Sequence, residues 1–180
     1  MINKNIPNIL TTVRMALVPV FLCYAFVQNW MVALFIFAIA SLTDFFDGYL
    51  ARKYDIVSNY GKLMDPLADK LLVLSAVFVL AIHPETMIHP IVFAIIALRE
   101  VAVTILRDVY ARKNIIIPAN IWGKLKTVTQ MLGLIFVMLY LSSGCIAPIA
   151  ELIIHIYFWI VAGITVLSGS NYFFIKRGSK

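Results

Sequence analysis

The sequence predicts an all-α integral membrane protein, a compact bundle of six transmembrane helices that forms one domain over residues 1–180. Hydrophobic residues make up 62% of the chain, and the mean hydropathy is +0.94. The apolar runs are continuous rather than alternating, which favours helices over strands. Each run is also near the ~20 residues that a helix needs to cross the hydrocarbon core.

The apolar runs predict the helices in chain order: Ile9–Val27, Met31–Leu50, Leu63–Ile82, Ile91–Val109, Leu125–Leu141 and Ile149–Phe174. Arg14 interrupts the first run early, so the segment Pro7–Arg14 is interpreted as an interfacial start of that helix. The polar segment Lys53–Tyr60 predicts a tight turn between the second and third helices. Little chain remains for a soluble domain or a linker.

The placement of Lys and Arg predicts the orientation. The connections at 28–30, 83–89 and 142–148 contain neither residue, whereas both termini and the other two connections carry them. The positive-inside rule therefore predicts cytoplasmic termini. The net charge of +6 favours anionic headgroups and anionic solutes. Because the basic residues are spread over helix ends, nucleic acid is not a predicted partner.

Residues 44–69, here named the carboxylate segment, contain five of the nine acidic residues, and four of these recur at helical spacing: Asp44, Asp47, Asp65 and Asp69. An acidic residue at the centre of a membrane helix costs about 3 kcal/mol on insertion scales, so the set needs neutralising partners. Helical spacing puts the first two on one face and the last two on one face. Oxygen-only sets suit hard divalent cations, Mg²⁺ or Mn²⁺, and the absence of Cys and His argues against zinc.

Small and basic residues accompany these carboxylates. Gly48 and Ala51 remove side-chain bulk where a ligand could approach, and Arg52 on the same face offers a fork for a phosphate. Two cations ~4 Å apart would suit phosphoryl chemistry. Two alternatives stay open on the residues alone: carboxylates paired with lysines that only hold helices together, and a proton or cation pathway.

The complete pattern also resembles a known family. D-F-F-D-G-Y-L-A-R, then eight residues, then G-K-L-M-D-P-L-A-D is similar to the D-x2-D-G-x2-A-R-x8-G-x3-D-x3-D signature of the CDP-alcohol phosphatidyltransferases. Every fixed position is filled, from Asp44 to Asp69 and including Gly61. The resemblance extends to the six-span layout, so it implies this family's bundle for the whole chain.

The resemblance implies transfer of a phosphatidyl group from CDP-diacylglycerol to an alcohol, with CMP as leaving group. It implies that Asp44, Asp47, Asp65 and Asp69 hold two divalent ions, Mg²⁺ or Mn²⁺, and that Asp69 is the general base. The implied CDP-lipid contacts are Gly48 and Arg52, with weaker matches at Ser58, Pro7 and Asn8. It also implies a homodimer in a bacterial inner membrane with a cytoplasmic active site.

The acceptor site is expected in the second half of the chain. Arg99, Arg107 and Lys126 are the candidate phosphate ligands. Inositol phosphate and glycerol 3-phosphate suit such a basic group better than free serine does. The alternative is that these side chains only extend from helix ends towards headgroups.

Two further stretches are similar to one bacterial branch of the family, L-R-E-V-A-V-T-I-L-R-D and G-K-L-K-T-V-T-Q. That branch implies sn-glycerol 3-phosphate as acceptor and phosphatidylglycerophosphate as product. A cardiolipin synthase of the same family, with phosphatidylglycerol as acceptor, is the nearest alternative. A cation or proton transporter is a different class; it expects a polar path, yet residues 31–40 and 71–80 contain one polar residue, Ser75.

Overall fold

The protein is all-α in its computed structural model, which describes residues 6–54, 59–83, 88–113, 121–145 and 147–173. No strand occurs within these ranges. The six predicted helices are confirmed as α1 (Ile6–Phe26), α2 (Trp30–Tyr54), α3 (Asn59–Ile82), α4 (Pro90–Arg112), α5 (Ile121–Ser142) and α6 (Pro148–Phe173).

Several helices extend beyond the apolar runs that predict them. α2 continues past Leu50 to Tyr54, and α3 begins at Asn59, four residues before Leu63. The expected turn over Lys53–Tyr60 is therefore too long, because only residues 55–58 separate the helices, and these lie outside the described residues. Hydropathy marks only the apolar part of a helix, whereas main-chain hydrogen bonding continues through polar residues.

Among the described residues, three helices have the length and apolarity expected of a membrane span: Asn8–Phe26, Ile121–Ser142 and Pro148–Gly169. Trp30–Thr43 is the described apolar part of α2, and α3 and α4 carry charged residues within their length. Large apolar side chains face outward, with Leu98 72% and Ile149 76% exposed. Such surfaces are unfavourable in water and suit a lipid environment, so the chain is an all-α membrane protein.

Contacts divide the chain into two compact units. The first comprises Met1–Val79 with Ile135–Cys145, and the second comprises Leu80–Leu134 with Ile146–Lys180. In the first unit α1 packs against α2, where the rings of Phe21 and Phe37 lie 6.0 Å apart. In the second unit α4 packs against α6. The single domain over 1–180 stays a prediction.

Pro7–Arg14 is the beginning of the first helix, as expected, and its interfacial position stays a prediction. These residues form the first part of α1, which continues without interruption to Phe26. Arg14 is fully buried rather than extended towards an interface. The helix therefore enters the first unit from its beginning.

The start of α4 has a recognisable local cause. His89 has an extended backbone, and its Nδ1 accepts a hydrogen bond from the Ile91 main-chain N–H at 3.2 Å. Pro90 follows as the first helical residue, where its missing N–H is no loss. This cap sets the residue at which the helix that carries Arg99, Glu100 and Arg107 begins.

Candidate functional site

The carboxylate segment lies on two helices. Asp44 and Asp47 fall in the second half of α2, and Asp65 and Asp69 fall in the first half of α3. A continuous helical backbone at these positions puts residues three or four apart on one face. The register expected from the sequence is therefore present on both helices.

Side-chain geometry is available for part of this segment. The side chains of Asp44, Asp47, Gly48, Arg52 and Asp65, and the whole of Ser58, lie outside the described residues. Asp69 is half-buried and directly follows the fully buried Ala68. Within the described residues no group of three His, Cys, Asp or Glu side chains has a metal-binding arrangement, and the side chains of three of the four predicted ligands lie outside those residues.

The amino-terminal positions of the predicted donor site lie at the beginning of α1. Pro7 is helical, and its side chain is outside the described part. Asn8 is half-buried, and its main-chain carbonyl accepts a hydrogen bond from Thr12 Oγ1 at 2.9 Å.

Arg14 is a buried residue whose role the sequence did not indicate. Its Nε donates to the main-chain carbonyl of Ala40 at 3.3 Å, and the hydroxyl of Thr43 donates to the same oxygen at 2.7 Å. Ala40 is fully buried and precedes Asp44 by one helical turn. Arg14 thus ties α1 to the turn of α2 that leads into the carboxylate segment.

A second polar group joins three helices of the second unit. Glu100 Oε1 accepts hydrogen bonds from Arg99 Nη1 at 2.9 Å and from Lys126 Nζ at 2.6 Å. The side chains are 13%, 13% and 5% exposed for Glu100, Arg99 and Lys126. Arg99 Nη2 also donates to Ser168 Oγ at 2.7 Å. We name Arg99, Glu100, Lys126 and Ser168 the Glu100 cluster.

The sixth helix holds the guanidinium of Arg99 in place. Ser168 Oγ, which accepts from Arg99, donates in turn to the Thr165 carbonyl at 2.9 Å. A Cβ added at Gly169 would lie 3.1 Å from Cγ of Arg99, so the absence of a side chain there lets the arginine stem lie against α6. The cluster is a built arrangement rather than a set of helix-end side chains.

Gln130 follows Lys126 by one turn of α5 and is 1% exposed. Neither its Nε2 nor its Oε1 has a hydrogen-bond partner, and Arg99 Nε is also buried without one. The next turn of α5 packs closely on α6, because a Cβ on Gly133 would lie 2.5 Å from Cε1 of Tyr157. The Tyr157 hydroxyl donates to the Thr129 carbonyl at 2.7 Å, which fixes this part of α5.

The structure thus joins two of the three predicted acceptor ligands through Glu100, which was not itself a predicted phosphate ligand. Arg99 and Lys126 share Glu100, and this pairing was not visible in the sequence because the partners lie 26 residues apart. Arg107 differs from both, since it is exposed and lies eight residues, or ~12 Å, further along α4.

Comparisons with known proteins agree with the motif. A family model described as CDP-alcohol phosphatidyltransferase matches residues 4–167. A Rickettsia prowazekii protein named CDP-diacylglycerol–glycerol-3-phosphate 3-phosphatidyltransferase is 37% identical over 175 residues, covering 96% of this chain and 95% of the relative. A Bacillus subtilis protein of the same name is 36% identical, with 94% and 93% covered. A Mycobacterium tuberculosis protein named probable phosphatidylglycerophosphate synthase is 40% identical, with 77% and 68% covered.

Proposed function

The chain belongs to the CDP-alcohol phosphatidyltransferase family, and on that premise we propose that it transfers the phosphatidyl group of CDP-diacylglycerol to sn-glycerol 3-phosphate. The products are phosphatidylglycerophosphate and CMP. The observation that carries the proposal is the nearly full-length similarity to relatives named for this reaction. The filled motif on α2 and α3 supports the same reaction class.

The carboxylate segment would hold two divalent ions, Mg²⁺ or Mn²⁺. The donor set is suitable, because Asp44 and Asp47 share one face of α2 while Asp65 and Asp69 share one face of α3. When bound, the ions would neutralise the diphosphate and the charge that develops on the departing phosphate. Oxygen ligands alone make a hard cation the suitable occupant.

The residues of the chain would carry the remaining chemistry. Asp69 would accept the proton of the acceptor hydroxyl as its oxygen attacks the phosphorus that bears diacylglycerol. The bond from that phosphorus to the bridging oxygen breaks, and CMP leaves with the bond electrons. Gly48 and Arg52 would contact the CDP group, together with Pro7, Asn8 and Ser58.

The Glu100 cluster would bind the phosphate of the acceptor. Arg99 and Lys126 are largely buried and share one carboxylate, so the three side chains together carry one excess positive charge. An incoming phosphate would supply the anion that balances it. Arg107, which is exposed, would contribute as a third, more peripheral cation.

We propose that the protein lies in a bacterial inner membrane with its active site on the cytoplasmic side. The distribution of Lys and Arg favours cytoplasmic termini and a cytoplasmic active site in a bacterial inner membrane. Water-soluble glycerol 3-phosphate would enter from that side while the acyl chains of the donor stay in the bilayer. A homodimer is expected from the family resemblance, and the mass of the purified protein in detergent tests it.

The transporter alternative has less support. Ser75 is the one polar residue in 71–80, and its hydroxyl donates to the Leu71 carbonyl of its own helix at 2.5 Å. A single hydroxyl bonded within its own helix does not make the continuous polar path that a transporter needs. Cation flux into sealed vesicles without a lipid substrate would revive that alternative.

The test is CMP release by purified protein supplied with CDP-diacylglycerol and Mg²⁺ or Mn²⁺. Glycerol 3-phosphate, phosphatidylglycerol, inositol phosphate and serine are offered separately and then in competition. We expect release with glycerol 3-phosphate to exceed release with the others. A preference for phosphatidylglycerol would identify a cardiolipin synthase, and no release with any acceptor or metal would refute the transferase.

A further inference from the structure

In the part of the chain that the structure describes, buried side-chain atoms without a hydrogen-bond partner are concentrated at two residues, Arg99 and Gln130. Among the described residues, four buried side-chain polar atoms have no partner, and three of them belong to Arg99 and Gln130. Leaving a buried amide unpaired is unfavourable, so native structures rarely do so without a reason. These atoms are candidates for contact with a bound molecule.

The surroundings hold Gln130 in place without using its amide. Thr129, the preceding residue, makes two hydrogen bonds. Its hydroxyl donates to the Leu125 carbonyl at 2.9 Å, and its main-chain carbonyl accepts from the Tyr157 hydroxyl. Lys126, one turn earlier, is 4% exposed and paired with Glu100. Neighbouring polar groups are therefore satisfied, whereas the amide of Gln130 is not.

The free groups specify the chemistry of a ligand. Arg99 Nε offers a charged donor, which suits an anionic oxygen. Gln130 offers a donor and an acceptor together, and a hydroxyl can satisfy both because it both donates and accepts. A phosphate alone would leave the amide oxygen of Gln130 unpaired, so this amide suits a ligand that carries a hydroxyl besides its phosphate.

Resting on the proposed function, we propose that Gln130 is a specificity residue for the acceptor. Its amide binds the secondary hydroxyl of glycerol 3-phosphate, the one that is not phosphatidylated, while Arg99 and Lys126 bind the phosphate. A site built to pair a hydroxyl discriminates against an analogue that lacks it, because the protein groups then stay unpaired.

The test compares two acceptors with two proteins. 3-Hydroxypropyl phosphate keeps the phosphate and the attacking primary hydroxyl of glycerol 3-phosphate but lacks the secondary hydroxyl. We expect the unaltered protein to prefer glycerol 3-phosphate by about 10- to 100-fold in kcat/KM for CMP release. Gln130→Leu, which keeps the size and removes the amide, should lower kcat/KM for glycerol 3-phosphate by a similar factor. The Gln130→Leu protein should have the same kcat/KM for the two acceptors.

Two further measurements separate specificity from structure. Gln130→Leu removes unpartnered polar atoms, so its thermal midpoint without substrate should not fall. Thr127→Val on the same helix is the control, because this exposed hydroxyl is bonded within α5 to the Gly123 carbonyl at 3.1 Å, and its acceptor preference should be unchanged. If Gln130→Leu is inactive, its preference between the two acceptors is measured by the rise in thermal midpoint that each one produces.

Each outcome decides the proposal. It is supported if the preference, in rate or in thermal shift, is present in the unaltered protein and lost in Gln130→Leu. It is overturned if Gln130→Leu keeps the preference or if the unaltered protein shows none. CMP release with neither acceptor would refute the proposed function as well, so the two failures are distinguishable.

Discussion

The carboxylate segment and the Glu100 cluster differ in how the chain encodes them. The first lies within 26 consecutive residues, on two successive helices, and its spacing alone indicates its chemistry. The second is assembled from α4, α5 and α6, and Glu100 meets Lys126 across 26 residues of chain. The difference shows that local spacing reports a motif well, whereas a site formed by three helices becomes visible only through contacts.

The two regions also differ in charge. The four aspartates at helical spacing in the carboxylate segment need cations from outside the motif to stay ionised together. In the Glu100 cluster one carboxylate is shared by two cations, so its three charged side chains sum to one positive charge. We therefore expect changes in the first region to affect turnover and metal dependence, and changes in the second to affect acceptor KM and stability.

The largest expected effect is that of Asp69→Asn. Loss of the base should lower kcat for CMP release by about 10²- to 10⁴-fold, while binding of CDP-diacylglycerol is retained. Glu151→Gln, in the first turn of α6, is the matched acid-to-amide control and should stay near the unaltered rate. A nearly normal kcat for Asp69→Asn would exclude it as the base and remove the main distinction between the regions.

The metal dependence of the carboxylate segment is the next test. A chelator should abolish CMP release, and added Mg²⁺ or Mn²⁺ should restore it. Asp65→Asn removes one of the four proposed ligands, so the metal concentration for half-maximal rate should rise at least about tenfold. A metal titration that is the same for Asp65→Asn and the unaltered protein would contradict the proposed ligand set.

Glu100→Gln tests the balanced charge of the Glu100 cluster. Removing the shared carboxylate leaves Lys126 buried without this counter-ion, which should lower the free energy of unfolding by about 3 kcal/mol. Glycerol 3-phosphate should then raise the thermal midpoint more in Glu100→Gln than in the unaltered protein, because its phosphate replaces the missing anion. An equal or smaller ligand-induced rise would argue against phosphate binding at this cluster.

The smallest expected effect concerns the packing that supports the cluster. In Gly133→Ala the new methyl group would meet the rings of Tyr157 and Phe158, at 2.5 and 3.2 Å, and should destabilise the protein by about 1–3 kcal/mol. Gly163→Ala is the matched control, since nothing lies within 4 Å of its added Cβ, and it should be neutral or stabilising by up to ~1 kcal/mol. Equal thermal midpoints for the two variants would show that α5 and α6 do not pack closely at Gly133.

The sequence predicts the helices better than it predicts the contacts between them. Continuous apolar runs are sufficient to identify six helices, because hydropathy reports which segments can enter lipid. The same runs underestimate α2 and α3 at their polar ends, where main-chain bonding continues. Arg14 shows the limit most clearly: its sequence context suggests an interface, whereas packing buries it against Ala40.

The candidate sites show the same contrast between features of consecutive residues and contacts between distant ones. Asp69 was predicted from spacing and family resemblance, since both are properties of consecutive residues. Glu100 and Gln130 could not be assigned in this way, because the significance of each depends on which neighbours satisfy it. A signal was present only in the spacing of Lys126 and Gln130, one turn apart on α5.

The most direct test of the account follows the label of ³²P-glycerol 3-phosphate incubated with CDP-diacylglycerol, Mg²⁺ and the purified protein. We expect the label to enter a lipid containing two phosphates, with one CMP released for each lipid formed, and we expect Asp69→Asn to reduce both together. Label that stays in the water-soluble fraction while CMP accumulates would contradict it, because water rather than glycerol 3-phosphate would then be the acceptor.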